Sequence, residues 1–94
     1  MSTTTTVVEV RYMTVDLSIK NAEDRVFRGC IYAPSSATIN YSDLIAPYGE
    51  VRGPVRNKDG NLGVAWVSEY WRYGDAPEWL KAAVDAERPE WARR

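Results

Sequence analysis

Polar and apolar residues alternate with a period of two along most of the chain and switch to a helical period only after Gly74. In the opening stretch Val8, Val10 and Tyr12 are apolar against Glu9 and Arg11. The apolar set then moves to odd positions, Met13, Val15, Leu17 and Ile19, with Thr14, Asp16, Ser18 and Lys20 between them. One inserted residue restores a common face after such a change of phase, so a β-bulge between Tyr12 and Met13 is expected. A strand crossing between two packing environments leaves the same trace. Asn21-Ala22-Glu23-Asp24 reads as a turn and Arg25 to Ala33 as a second strand, with Phe27 and Ile31 on one side and Val26, Cys30 and Tyr32 on the other. These two strands make a first hairpin. Pro34-Ser35-Ser36-Ala37-Thr38 breaks the pattern, and Ser42 can cap a short helix over Asp43-Leu44-Ile45-Ala46 that Pro47 and Gly49 end.

The central feature is a second hairpin. Val51 to Val55 and Leu62 to Tyr73 are strand-like runs separated by Asn57-Lys58-Asp59-Gly60, and Asp-Gly between such runs is a strong hairpin signal. A two-residue loop over Asp59-Gly60 and a four-residue loop over Asn57 to Gly60 give the same faces, because their registers differ by a whole strand period. One face then carries Val51, Val55, Leu62, Val64 and Trp66 and reads as core. The other carries Arg52, Pro54, Arg56, Gly63, Ala65, Val67, Trp71 and Tyr73, a mixture of small, aromatic and basic side chains.

Past Gly74, Asp75 is placed as an N-cap, Pro77 sits in the first turn and Glu78 follows the cap by three residues. Ala76, Trp79, Leu80, Ala83 and Val84 then form the apolar stripe of a helix. Pro89 ends it, and a last turn folds Trp91 back. The order strand, strand, short helix, strand, strand, helix predicts the α+β class. The expected architecture is an antiparallel four-stranded sheet of two hairpins, a short helix between them, and the C-terminal helix packed on the sheet. A curled, barrel-like sheet with the helix at its mouth satisfies the same pattern. Residues 1–6 read as a flexible threonine-rich tail and 7–94 as a single domain, which 94 residues with 45% hydrophobic content can build.

Composition narrows the chemistry. Twelve Lys and Arg against 13 Asp and Glu leave a formal net charge of −1, so no global field draws the protein to nucleic acid or an acidic membrane. The one cysteine, Cys30, cannot form an internal disulfide, and in a strand it is expected to behave as a small buried hydrophobe. With no apolar run of membrane-spanning length and no signal-peptide pattern at the N-terminus, a reducing, cytoplasmic location is expected. There is no histidine, no phosphate-cradling glycine loop and no metal-ligand pattern, so no catalytic residue, metal or cofactor is expected and an enzyme is disfavoured.

The lead towards function is the second face of the central hairpin. Trp71 and Tyr73 fall there near Arg52 and Arg56, and tryptophan, tyrosine and arginine are enriched at binding hot spots. Arg52, Arg56, Trp71 and Tyr73 are therefore the expected contacts for a protein partner or, in a homodimer, for a second copy of the chain. The alternative is a nucleic-acid-binding module that stacks bases on the aromatics and sets Arg52, Arg56, Lys58 and Arg72 on phosphates.

The run Val55-Arg56-Asn57-Lys58-Asp59-Gly60-Asn61-Leu62, the aromatic strand after it and the ending Lys81-Ala82-Ala83-Val84-Asp85-Ala86-Glu87-Arg88-Pro89-Glu90-Trp91 resemble small accessory proteins of actinobacterial bacteriophages. The resemblance spans roughly residues 50–94 and rests on a turn and on composition. It implies a protein that binds and modulates a host protein, and it carries over no site residue.

Overall fold

Two turns with glycine in the left-handed region set the strand order. In the computed structural model, which describes residues 10–93, Arg28 and Gly29 have φ of 52° and 80°, the pattern of a type I′ hairpin. They join β2 (Arg25–Phe27) to β3 (Cys30–Tyr32). Gly60, with φ of 82°, closes the turn between β5 (Tyr48–Arg56) and β6 (Leu62–Arg72). With β1 (Tyr12–Ser18) and β4 (Ser36–Ser42) these strands form a six-stranded antiparallel sheet. The class is α+β, but the sheet has six strands rather than four. The described residues contain one α-helix, α1 (Glu78–Glu87).

β3 and β4 follow one another along one edge of β5, Tyr32 facing Val55 and Ser36 to Asn40 facing Arg52 to Tyr48. β1 pairs with β4, β2 with β3, and β6 takes the other edge of β5. The first hairpin expected from the sequence is therefore replaced. The turn falls at Arg28-Gly29 inside the second expected strand, and the partner of β1 lies beyond it. Asn21, at φ 61°, instead bends the chain between β1 and β2, a conformation asparagine tolerates.

The expected helix over residues 43–46 is absent. Ser42 ends a strand in which Ala37, Ile39 and Tyr41 are buried in alternation with partly exposed polar residues. Its Oγ accepts the Leu44 N–H in a local turn. Nor is there a bulge between Tyr12 and Met13, which pair in continuous register with Ser42 and Tyr41. Met13, Val15 and Leu17 turn inward while Val10 and Tyr12 stay exposed, so the change of phase marks apolar residues on both faces. The expected strand at residues 7–9 and the tail at 1–6 lie outside the described residues.

β5 is the strand that β3, β4 and β6 all pair with. A Cβ at Gly49 would stand 1.7 Å from the Thr38 carbonyl oxygen, and one at Gly53 1.8 Å from that of Ala33, so glycine permits the close approach of the neighbouring strand. Pro54 lies where β3 gives way to β4, and its carbonyl accepts the Ala33 N–H. Its missing donor thus falls at an interruption of the ladder.

One face of the sheet carries the core: Ala37, Ile39, Tyr41, Val51 and Trp71 pack with Leu80 and Val84 of α1. Tyr41 Oη donates to the Val84 carbonyl at 2.5 Å, and burial pushes its phenol up to about 12. Asp75 does not cap α1. Ala76 precedes a proline, which disfavours the helical region, and it is extended with ψ 146°. The helix begins after Pro77, whose carbonyl accepts the Leu80 and Lys81 N–H groups. A final 3-10 turn over Glu90–Ala92 buries Ala92 and packs Trp91 on the core. Among the described residues no helix is long and apolar enough to cross a membrane.

Candidate functional site

The turn between β5 and β6 decides which side chains face out. Asn57 N donates to Asn61 O at 2.8 Å, so these two residues close a loop of Lys58-Asp59-Gly60. Gly60 N bonds Asn57 O, and Asn57 Oδ1 accepts the N–H groups of Asp59 and Asn61. This is a type I turn followed by a left-handed glycine, a common three-residue hairpin. An odd loop pairs odd residues with odd, whereas the two- and four-residue alternatives pair odd with even. Val51 consequently faces Glu69, Gly53 faces Val67 and Gly49 faces Trp71. A further register shift between Pro54 and Arg56 displaces the pairing by an even number and keeps the faces.

The four residues expected to share a binding face are thereby separated. Trp71 is 5% exposed, in the core beside Gly49, and its Nε1 has no hydrogen-bond partner among the described residues. Tyr73 lies at the rim of α1, its hydroxyl donating to Asp85 at 3.1 Å and its ring flanked by Lys81 and Arg88. Arg56 fastens the hairpin tip to the loop before β2 by pairing with Asp24 and donating to the Gly60 carbonyl at 2.8 Å. Arg52 alone of the four stands on the uncovered face.

That face is built from even positions. β6 contributes Leu62, Val64, Trp66, Ser68, Tyr70 and Arg72, with Val64 fully exposed and Trp66 and Tyr70 each 58% exposed. β5 contributes Tyr48, Glu50 and Arg52. The Tyr48 and Tyr70 rings lie 6.1 Å apart at 36°, a tilted aromatic pair. A hydrogen bond with Tyr12 raises the Tyr48 phenol above its usual range. Tyr12 Oη and Thr14 Oγ1 both donate to Asn40 Oδ1 at 2.8 Å, so a band of tyrosine and amide crosses β1, β4, β5 and β6. Ser68 donates to Glu50 at 2.9 Å and Thr38 to Asp16 at 3.1 Å. Arg52 and Arg72 make no ion pair among the described residues, and they offset Glu50 and Asp16 in charge.

Among the described residues, the covered face holds a partly buried ion pair that joins distant strands. Arg25 of β2 donates to both Glu69 oxygens at 2.8 Å, and Tyr32 donates to the same carboxylate at 2.6 Å. The bond from Arg25 holds the Glu69 carboxyl below its usual range, against the opposing effect of burial. A cleft of about 320 Å³ beneath the 43–47 loop is lined in part by Asp43, Tyr73 and Arg88, but Asp43 is held by Arg11 and Arg88 by Asp85. Cys30 is exposed, not buried as expected, because it sits beside the Arg28-Gly29 turn opposite Phe27. No three His, Cys, Asp or Glu side chains among the described residues are grouped as metal ligands.

Sequence reading misses Tyr12, Asn40, Tyr48, Trp66 and Tyr70 as members of one surface. The period-two pattern of each strand holds the signal, since all five are even-numbered, but the pairing of the strands is needed to bring them together. No protein-family model, no curated protein and no solved structure matches the chain.

Proposed function

We propose that this is a small protein-binding module that docks a partner on the open face of its sheet. The contacts centre on Trp66 and Tyr70 and are flanked by Tyr48 and Arg52. The observation that carries the reading is that α1 covers one face while the other leaves Leu62, Val64, Trp66 and Tyr70 at least 55% exposed. Monomeric proteins seldom leave such a patch without a partner. The residue types fit, since tyrosine, tryptophan and arginine supply most hot spots. So does the charge: Asp16 and Glu50 balance Arg52 and Arg72, which suits a protein surface better than a polyanion. A host protein is the partner that the resemblance to phage accessory proteins implies.

The test is the double variant Tyr48→Ala/Arg52→Glu, used as bait beside the wild type in nuclease-treated lysate of an actinobacterium. A stoichiometric protein recovered by the wild type and lost by the variant, at unchanged thermal midpoint, is the expected result. Binding to oligonucleotides that weakens steeply with salt, with no protein recovered, would replace this reading by the nucleic-acid one.

A further inference from the structure

We propose that β6 pairs along its free edge with β6 of a second copy, about a two-fold axis at Ser68. The inference extends the reading above by naming what meets the edge of the open face, and it can fail while that reading stands.

The hydrogen-bonding geometry leaves the edge open. Among the described residues β6 pairs with β5 alone. Tyr73 N donates to Pro47 O, and bonded pairs alternate along an antiparallel ladder. The odd residues of β6 therefore bond β5, Glu69 opposite Val51 and Val67 opposite Gly53. The backbone groups of Trp66, Ser68, Tyr70 and Arg72 point away from the sheet.

The edge is also unguarded. Free edges are normally short, charged or broken by proline. β6 is 11 residues long, and its one charge before Arg72 is Glu69, which turns to the covered face and is bound by Arg25. β1, the other long edge, has 7 residues with Asp16 among them.

A second copy fits this edge without new chemistry. With Ser68 opposite its own copy, Trp66 meets Tyr70 twice and Val64 meets Arg72. All of these are even positions, so outward N–H and C=O groups face one another and no like charges are opposed. Aromatic cross-strand pairs are among the favourable ones. Val64 is fully exposed and Trp66 and Tyr70 are each 58% exposed, so their flanks along the edge are free to meet those of the second copy. The contact covers only the flanks of these side chains, so the strand hydrogen bonds carry most of a small interface. The paired sheets would join the two open faces into one continuous surface, an isologous dimer.

Light scattering from about 1 to about 500 μM, the range in which small interfaces dissociate, should show the mass rise from one chain to two. Trp66→Lys should remain a single chain throughout, with the thermal midpoint of the dilute wild type. Ser68→Pro, which removes an outward amide, gives the same readout should the lysine variant fail to fold. In a Cys30→Ser background, mild oxidation should cross-link Ser68→Cys but not Val64→Cys, because residues paired on the axis lie about 5.5 Å apart, within disulfide reach. A single-chain mass at every concentration, a dimer that survives Trp66→Lys, or cross-linking through Val64→Cys in place of Ser68→Cys would overturn the proposal. Tyr48→Ala/Arg52→Glu should leave the dimer intact, which separates failure of the edge from failure of the face.

Discussion

Trp66 and Trp71 stand on the same strand, yet one is 58% exposed and the other 5%. Their side chains are chemically identical, so their fates are set by parity: one position is even and the other odd, and the two classes point to opposite faces of the strand. What differs is the opposing strand. Trp71 lies over Gly49, where the absence of a side chain makes room for an indole, while Trp66 faces Pro54 on the open side. A large aromatic residue is therefore core or contact according to what its neighbour lacks.

Paired truncations test this contrast most strongly. Trp71→Ala should cost about 3 to 5 kcal/mol in chemical denaturation, as expected for emptying a buried indole site. Trp66→Ala should stay within about 0.5 kcal/mol, as for most surface changes. Similar midpoints for the two variants would mean that the faces are assigned wrongly.

A smaller effect separates Glu69 from its neighbour Ser68, which points the other way. Glu69→Gln should cost about 2 to 3 kcal/mol at neutral pH, since it leaves Arg25 partly buried without its counter-charge. The wild-type carboxyl has a folded value below its ordinary 4.5. Its contribution is thus complete above that ordinary value and is lost as pH falls through the lower folded one. Urea midpoints taken from pH 7 to pH 3 should converge between wild type and Glu69→Gln; parallel curves would remove the ion pair from the account. The smallest effect belongs to the turn. Gly60→Ala, forced to φ 82°, should cost about 1 kcal/mol and leave the summed fluorescence of the four tryptophans unchanged.

The legible parts of the fold are those fixed by local chemistry. The stripe Trp79, Leu80, Ala83, Val84 gives the helix, and Pro89 its end, because both act within a few residues. The helix start is misplaced by the same kind of rule, since Pro77 excludes Ala76 from helix before Asp75 can cap it. The second hairpin is visible in Asp59-Gly60, but its faces turn on whether the loop holds an odd or even number of residues, and Asn57 settles that through bonds the residue pattern does not display. β4 shows clear alternation at Ala37, Ile39 and Tyr41, masked by the Pro34-Ser35-Ser36 break before it. The pairing of β1 with β4 joins residues as remote as Tyr12 and Ser42, beyond the reach of periodicity. That is why the open face, assembled from four strands, could not be read from any one of them.

The bond from Tyr41 to Val84 crosses 43 residues of chain, and this separation carries a consequence in time. Neighbouring strands such as β5 and β6 can close within microseconds, whereas contacts between remote segments wait for larger loops to close. The helix has 10 residues, fewer than an isolated helix needs to persist in water. Its stability therefore comes from the sheet face it packs on. During synthesis the strands emerge before their cover, so Tyr41, Val51 and Trp71 spend that interval bare, and the speed with which α1 docks sets how long the nascent chain is open to misassociation.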